Sequence, residues 1–281
     1  MAYALYQTFH TWLLNKHVAK TTINNYDSTL NQFFTFLENQ QHLGGQDELP
    51  LIQDSDLHAY FALQNISQST YNKKLSHLNQ YFLFLVDHQI IQSFPTIAFH
   101  GKNVAVNLST NRKWHQYVPK LLENDQVSMY TRVTLLLLAH GYDIQEILRP
   151  GFYEVFVKLK FTNERKSTFQ SKYQHWITPL QQEQHAQELL LKKRINHQNP
   201  SLSLAGLHKY LKADQINVPF KLSPQQLHQS YVLNFIDTHP QWSQQQLRDH
   251  LRLDPASIMY YQNLLTKEKT SGGNVNNGFK M

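Results

Sequence analysis

Across the first ninety residues, apolar side chains return at intervals of three and four, and this spacing constrains the fold more than any other feature. Leu5, Phe9, Trp12 and Leu13 form one series; Ile23, Tyr26, Leu30, Phe33, Phe34 and Leu37 form a second. A period near 3.6 places each series on one face of a helix, and the polar break between them predicts an antiparallel pair. Thr21 or Thr22 is positioned to cap the second helix, and Gly44-Gly45 through Pro50 reads as a loop. A short helix is expected over 54–63. A fourth follows over 67–89, burying Leu75, Leu78, Tyr81, Phe82 and Leu85. The result is a four-helix domain over residues 1–92.

Residues 93–118 break this period with Pro95, Gly101 and a polar run from Asn107 to Lys113, and are read as a linker. A second domain is expected over 119–269. It opens with a helix over 127–138 and a short one over 144–148 that Pro150-Gly151 stops. Alternation then takes over: Val155, Val157, Leu159, Phe161 and later Trp176 predict two or three short strands between 153 and 178, forming a small antiparallel sheet. Helices are expected to resume near Pro179 and run in pieces to about residue 267. The tail, 270–281, has no apolar face and is expected to be mobile or ordered only by a partner. The fold class is mainly α, a four-helix domain followed by a mixed, mostly helical one.

An apolar share of 41% in 281 residues supports two such cores. The absence of cysteine excludes disulfides and thiolate chemistry. No apolar run approaches the roughly 20 residues that cross a bilayer, so a cytoplasmic protein without a membrane partner is expected. Charge is unevenly spread. Residues 1–92 hold four lysines against seven carboxylates, a net −3; with +6 for the whole chain, the remainder carries +9. Any electrostatic hold on a polyanion should therefore come mainly from the C-terminal two-thirds.

Five stretches, in order, resemble the motifs of tyrosine recombinases of the phage-integrase and Xer type. Thr21-Thr22-Ile23-Asn24-Asn25-Tyr26 and Ser69-Thr70-Tyr71-Asn72-Lys73-Lys74-Leu75 look like the family's SAM-like core-binding domain, where such residues face the DNA backbone. His140-Gly141-Tyr142-Asp143-Ile144-Gln145-Glu146-Ile147 follows the frame of the first catalytic box, with Asp143 where the family has arginine. Leu222-Ser223-Pro224-Gln225-Gln226-Leu227-His228 resembles the His-x-x-Arg start of the second box, with Gln225 for the histidine and His228 for the arginine. Leu251-Arg252-Leu253 corresponds to the Leu-Gly-His turn, Leu253 replacing its histidine, and the nucleophilic tyrosine corresponds to Tyr261 or, one residue earlier, Tyr260. The family's lysine, set in a turn of the sheet, would be Lys172 or Lys166, before Thr178-Pro179-Leu180.

What the resemblance implies about chemistry is largely loss. Strand cleavage by tyrosine needs the extra charge on a five-coordinate phosphorus to be stabilised, which two arginine forks supply in the family. A carboxylate about 4 Å from a phosphate oxygen adds repulsion of about 4 kcal/mol at an effective dielectric near 20. A mostly neutral histidine has no fork, and Gln225 and Leu253 offer no general acid or base. The expectation is a catalytically inactive protein that binds double-stranded DNA in an architectural, regulatory or segregation role, with neither cofactor nor metal. Candidate DNA contacts are Lys20, Thr21, Asn25, Lys73 and Lys74 in the first domain; Lys102, Arg112, Lys113 and Lys120 about the linker; and Lys166, Lys172, Lys192, Lys193, Arg194, Lys209 and Lys221 in the second. The family pattern also leaves room for self-association, or for a partner recombinase, through the C-terminal segment. Two alternatives stand beside this reading: a weakly active recombinase using Tyr261, and a protein-interaction module without nucleic acid, which the acidic first domain favours.

Overall fold

A computed structural model describes residues 3–41, 43–102 and 112–272. The chain divides into two compact units, Met1–Val106 and Asn107–Met281.

The first unit contains α1 (Tyr6–Asn15), α2 (Lys20–Gln41), α3 (Asp54–Ala62) and α4 (Gln68–Asp87), with a 3-10 turn at Gln46–Leu51. The apolar series converge on a core rich in rings. Phe9, Phe33, Tyr81, Phe82 and Phe84 are fully buried, and Phe9 meets Tyr81 edge-on at 5.2 Å. Edge-to-face pairs add about 0.5–1.5 kcal/mol each beyond their buried area, so ring geometry fixes how the helices seat. The buried Tyr81 hydroxyl donates to Ala4 O at 2.7 Å. Ser67 caps α4 by accepting from Thr70 N. Thr21 and Thr22 do not cap α2: the helix starts at Lys20, and the amides of Thr22 and Ile23 both bond to Ala19 O, leaving the two threonines exposed in the first turn.

The expected linker is already part of the fold at both ends. Phe94 and Phe99 pack on the first core and Thr96 is buried there. In the second unit Trp114 and Val118 are fully buried, the Trp114 indole donating to Leu227 O at 3.0 Å. Residues 103–111 of that stretch lie outside the described residues.

The second unit comprises α5 (Val118–Leu121), α6 (Met129–Leu138), α7 (Ile144–Leu148), α8 (Phe152–Lys158), α9 (Glu164–Gln184), α10 (Leu204–Asp214), α11 (Pro224–Thr238), α12 (Gln244–Leu251) and α13 (Pro255–Gly272). All ten residues of α6 are buried, as expected of a helix apolar nearly all round, and α5, α7, α9, α10 and α11 pack about it. Most polar atoms of α6 find nearby partners, although Arg132 Nε is buried without one among the described residues. Thr134 donates to Tyr130 O, and Arg132 reaches Leu122 O and Asp125, each at 3.1 Å.

The expected sheet between 153 and 178 is not formed. Among the described residues there is no strand, and the one β-bridge, Leu191 with Ser201, lies elsewhere. The alternation at Val155, Val157, Leu159 and Phe161 is outweighed by a four-residue period on either side of it. Phe152 and Phe156 are buried one turn apart on α8; Phe169, Tyr173 and Ile177 are buried one turn apart on α9. Asn163, whose side chain accepts from Lys166 N, starts α9. That helix runs through Pro179, so no new helix begins there. Likewise α13 extends to Gly272, past the expected start of the tail at 270, while 273–281 lie outside the described residues.

Candidate functional site

In the first unit the two family-like stretches lie on α2 and α4, which pack against each other. Asn25 links them: its Oδ1 accepts from Lys73 Nζ at 2.9 Å and its Nδ2 donates to Thr21 O at 2.9 Å. Thr21, Asn25 and Lys73 are exposed, as is Lys20 at the start of α2. Lys74 differs. Its ammonium reaches Gln32 Oε1 at 2.7 Å, Gln64 Oε1 at 2.5 Å and the Tyr60 hydroxyl at 3.3 Å, and burial holds its pKa below the ordinary lysine value. It braces α2, α3 and α4 instead of standing in solvent. Behind this face His77 Nδ1 lies 2.8 Å from Thr29 Oγ1, with its ring 4.5 Å from that of Tyr26; burial, and secondarily Lys73, pushes its pKa down to about 4. At one edge Asn72 exchanges two hydrogen bonds of 2.7 Å with the Lys102 backbone, and the Lys102 ammonium lies 4.3 Å above the Tyr71 ring. The face presents ammonium, amide and hydroxyl groups, all able to donate to phosphate oxygens.

In the second unit, Asp143, Gln225 and His228 meet around one cavity of about 360 Å³, lined also by Ile144, Leu204, His208 and Pro224. Asp143 is the N-cap of α7. Its Oδ1 accepts from the amides of Gln145 at 2.6 Å and Glu146 at 2.8 Å, and Glu146 Oε2 accepts from Asp143 N at 2.9 Å. This reciprocal capping box accounts for aspartate here by local structure. His228 is buried on α11, its Nε2 donating to Gly141 O at 3.1 Å. Burial lowers its pKa, against the opposing pull of the Gly141 carbonyl, Asp143 and Glu146. It is therefore a neutral imidazole committed to a backbone carbonyl. Gln225 is exposed in the first turn of α11.

Leu253 packs on the second core and has no polar atom to offer. Tyr261 is half-buried against that core, and Tyr260 is exposed with its ring 5.3 Å away. Burial raises the Tyr261 pKa above the usual tyrosine value, and Tyr260 and Asp143 push it further in the same direction. All three oppose formation of a phenolate.

Arg252, in the turn between α12 and α13, was not among the sequence-derived candidates. It occupies the glycine position of the family-like turn and adopts the left-handed backbone that glycine suits, φ 54°. Its guanidinium donates to His140 O at 2.9 Å and His250 O at 3.1 Å, lies 3.6 Å above the Tyr142 ring and pairs with Glu146 at 3.6 Å. Gly141 beneath it has φ +77°, and a Cβ there would stand 3.2 Å from both Arg252 Nη2 and the Tyr231 ring. The one arginine next to the cavity's helix start is thus occupied in bracing the 140–146 turn.

Of the two candidate lysines, Lys172 lies on the exposed side of α9 bonded to Asp125 at 3.1 Å, and does not line the cavity; its assignment to a sheet turn falls with the sheet. Lys166, one helix turn and a half earlier, lies 3.5 Å from His140 Nε2. His140 Nδ1 is 2.6 Å from Leu136 O and so carries the proton, leaving Nε2 to accept. Burial, helped by Lys166, Arg252 and His250, pushes His140 down to about 4, and burial also lowers Lys166. Among the remaining cations, Arg112 is paired with Glu268, and Lys113 precedes the buried Trp114. Lys120 borders a groove with Tyr117 and Pro219, while Lys209 and Lys221 are exposed. Lys192, Lys193 and Arg194 share the loop between α9 and α10. Among the described residues no cluster of histidine and carboxylate side chains is arranged to hold a metal, and no helix is long and apolar enough to cross a membrane.

Residues 7–89 match the family model of the phage integrase N-terminal SAM-like domain. No curated protein and no solved structure matches the chain. The match covers the first unit's four helices and both of its family-like stretches, so over those residues the chain is similar to the phage integrase N-terminal SAM-like domain.

Proposed function

We propose that this chain binds duplex DNA as a recombinase-type protein that has lost strand cleavage and serves an architectural, regulatory or segregation role. The observation that carries the reading is Asp143. Where the resemblance puts the family's first arginine stands a carboxylate locked into a helix cap, and burial, then Tyr260 and last this carboxylate raise the pKa of Tyr261, the tyrosine that would have to ionise. The second arginine position holds a buried neutral imidazole. Among the described residues lining the cavity there is no arginine to supply the fork of positive charge that a pentavalent phosphorus requires.

Losing the two arginines at one phosphate leaves the rest of a backbone grip intact, since affinity follows the number of phosphates neutralised. The donor face on α2 and α4 and the +9 charge beyond residue 92 support such a grip. The test pairs two measurements on the full chain. In titrations of labelled duplex against salt, log K should fall with log salt at a slope near −5, as for roughly six neutralised phosphates. On nicked suicide duplexes no covalent adduct should accumulate. An adduct that vanishes in Tyr261→Phe or Tyr260→Phe would restore the active-recombinase reading; absence of duplex binding at low salt would leave a protein-interaction module.

A further inference from the structure

The stretch from Leu189 to Ala213 holds five cations, Lys192, Lys193, Arg194, Lys209 and Lys212, and no carboxylate. Its first three cations sit on a loop built with more care than its exposure suggests. Gln184, at the end of α9, is only 1% exposed, and its amide is devoted to the loop backbone. Nε2 donates to Lys192 O at 2.7 Å and Arg194 O at 3.2 Å, and Oε1 accepts from Asn196 N at 2.9 Å. The loop's base is closed by the Leu191–Ser201 bridge and by Lys192 N bonding to Pro200 O at 2.8 Å. Its tip is closed by Asn196 Oδ1 accepting from Asn199 N at 3.0 Å.

Within this frame the three cations have different surroundings. The Lys192 ammonium folds back to Asn199 O at 2.5 Å and acts as a latch. Lys193 reaches over the Tyr210 ring of α10 at 5.5 Å. Arg194 is exposed, and its guanidinium meets no carboxylate among the described residues. A buried amide that fixes three backbone positions removes the ordering entropy a flexible basic loop would lose on binding. The arginine fork suits two oxygens of one phosphate.

We infer that the Gln184-held loop, through Lys193 and Arg194, is the second unit's preformed grip on the phosphates of duplex DNA, with Lys192 as its latch and Gln184 as a positioning residue. This rests on the DNA-binding reading above.

The experiment measures salt-dependent binding of the full chain to a labelled duplex of about 30 bp. Lys193→Ala with Arg194→Ala should make the log–log slope shallower by about 2. The control, Lys158→Ala with Lys160→Ala, removes the same charge from an exposed segment and should leave the slope in place. Gln184→Met should weaken binding about tenfold while keeping the slope, and should speed amide exchange in 192–199 with the remaining helices still protected. An unchanged slope in the loop variant, or an equal change in the control, overturns the assignment. Unchanged affinity in Gln184→Met despite faster exchange overturns the positioning role. If the unaltered chain binds no duplex, the DNA-binding reading itself has failed, an outcome distinct from either.

Discussion

In the first unit, Thr21, Asn25 and Lys73 of the family-like stretches stay exposed; in the second, Asp143, His228 and Leu253, in the stretches that resemble the catalytic boxes, are absorbed into a cap, a backbone hydrogen bond and the core. Asn25 and Lys73 touch each other yet remain accessible, whereas Asp143 is closed by two amides and His228 by a carbonyl. The contrast teaches how differently the proposed reading depends on the two units. A grip on a polyanion would be distributed over many donors, so no single substitution should remove it, whereas phosphoryl transfer would depend on a few charges at one atom, and here local structure holds those positions.

The comparison can be broken most forcefully through the first core. Phe9→Ala should destabilise the first unit by about 3–5 kcal/mol, read in urea by Trp12 fluorescence, and leave the transition reported by Trp114, Trp176 and Trp242 in place. Equal displacement of both transitions would mean that the units do not fold separately. Next in size is Asp143→Arg. Placing arginine there removes both cap bonds and a favourable charge at a helix start, so the second unit should lose about 1–2 kcal/mol and still form no adduct. Asp143→Asn should keep most of the stability; if Asp143→Arg melts no lower than the parent, the cap explanation of that aspartate is wrong.

Acidification should act on both units. His77 in the first and His140 in the second are each depressed to about 4 from the usual 6.5, so each unfolded unit binds a proton before its folded form does. Their contribution is present above pH 6.5 and declines as pH falls toward 4. Thermal melts across that window should show His77→Gln flattening the decline of the first unit alone. The smallest effect concerns the donor face. Lys73→Ala should reduce the salt slope by about 1, while Lys74→Ala should act mainly on the stability of the first unit, because three acceptors already surround that ammonium. Equal slopes for the two variants would erase the distinction drawn between them.

Much of this was legible in the sequence where a strong period met a ring-rich face. The series Phe9, Trp12, Leu13 and Ile23 to Leu37 admits one helical reading, and Asp143, Gln225 and His228, drawn from two separate boxes, line one cavity. The 153–178 stretch reads ambiguously because period two and period four coexist there, and the burial of Phe152, Phe156, Phe169 and Tyr173 in the second core decides for four. Lys172 was misplaced with the sheet. The bracing of Lys74 depends on acceptors 42, 14 and 10 residues away, which no local pattern displays. The left-handed turn at Arg252 does have a sequence signal, a residue standing where the turn it resembles has glycine.

The helical course of residues 152–184 also bears on how quickly the second unit assembles. Hydrogen bonds between residues four apart close no long loops, so α8 and α9 can order within their own stretch of chain, whereas a sheet there would have to wait for strands to find their register. The docking of α10 and α11 on α6 remains among the non-local steps, so folding should be limited by such encounters, on a scale of about milliseconds.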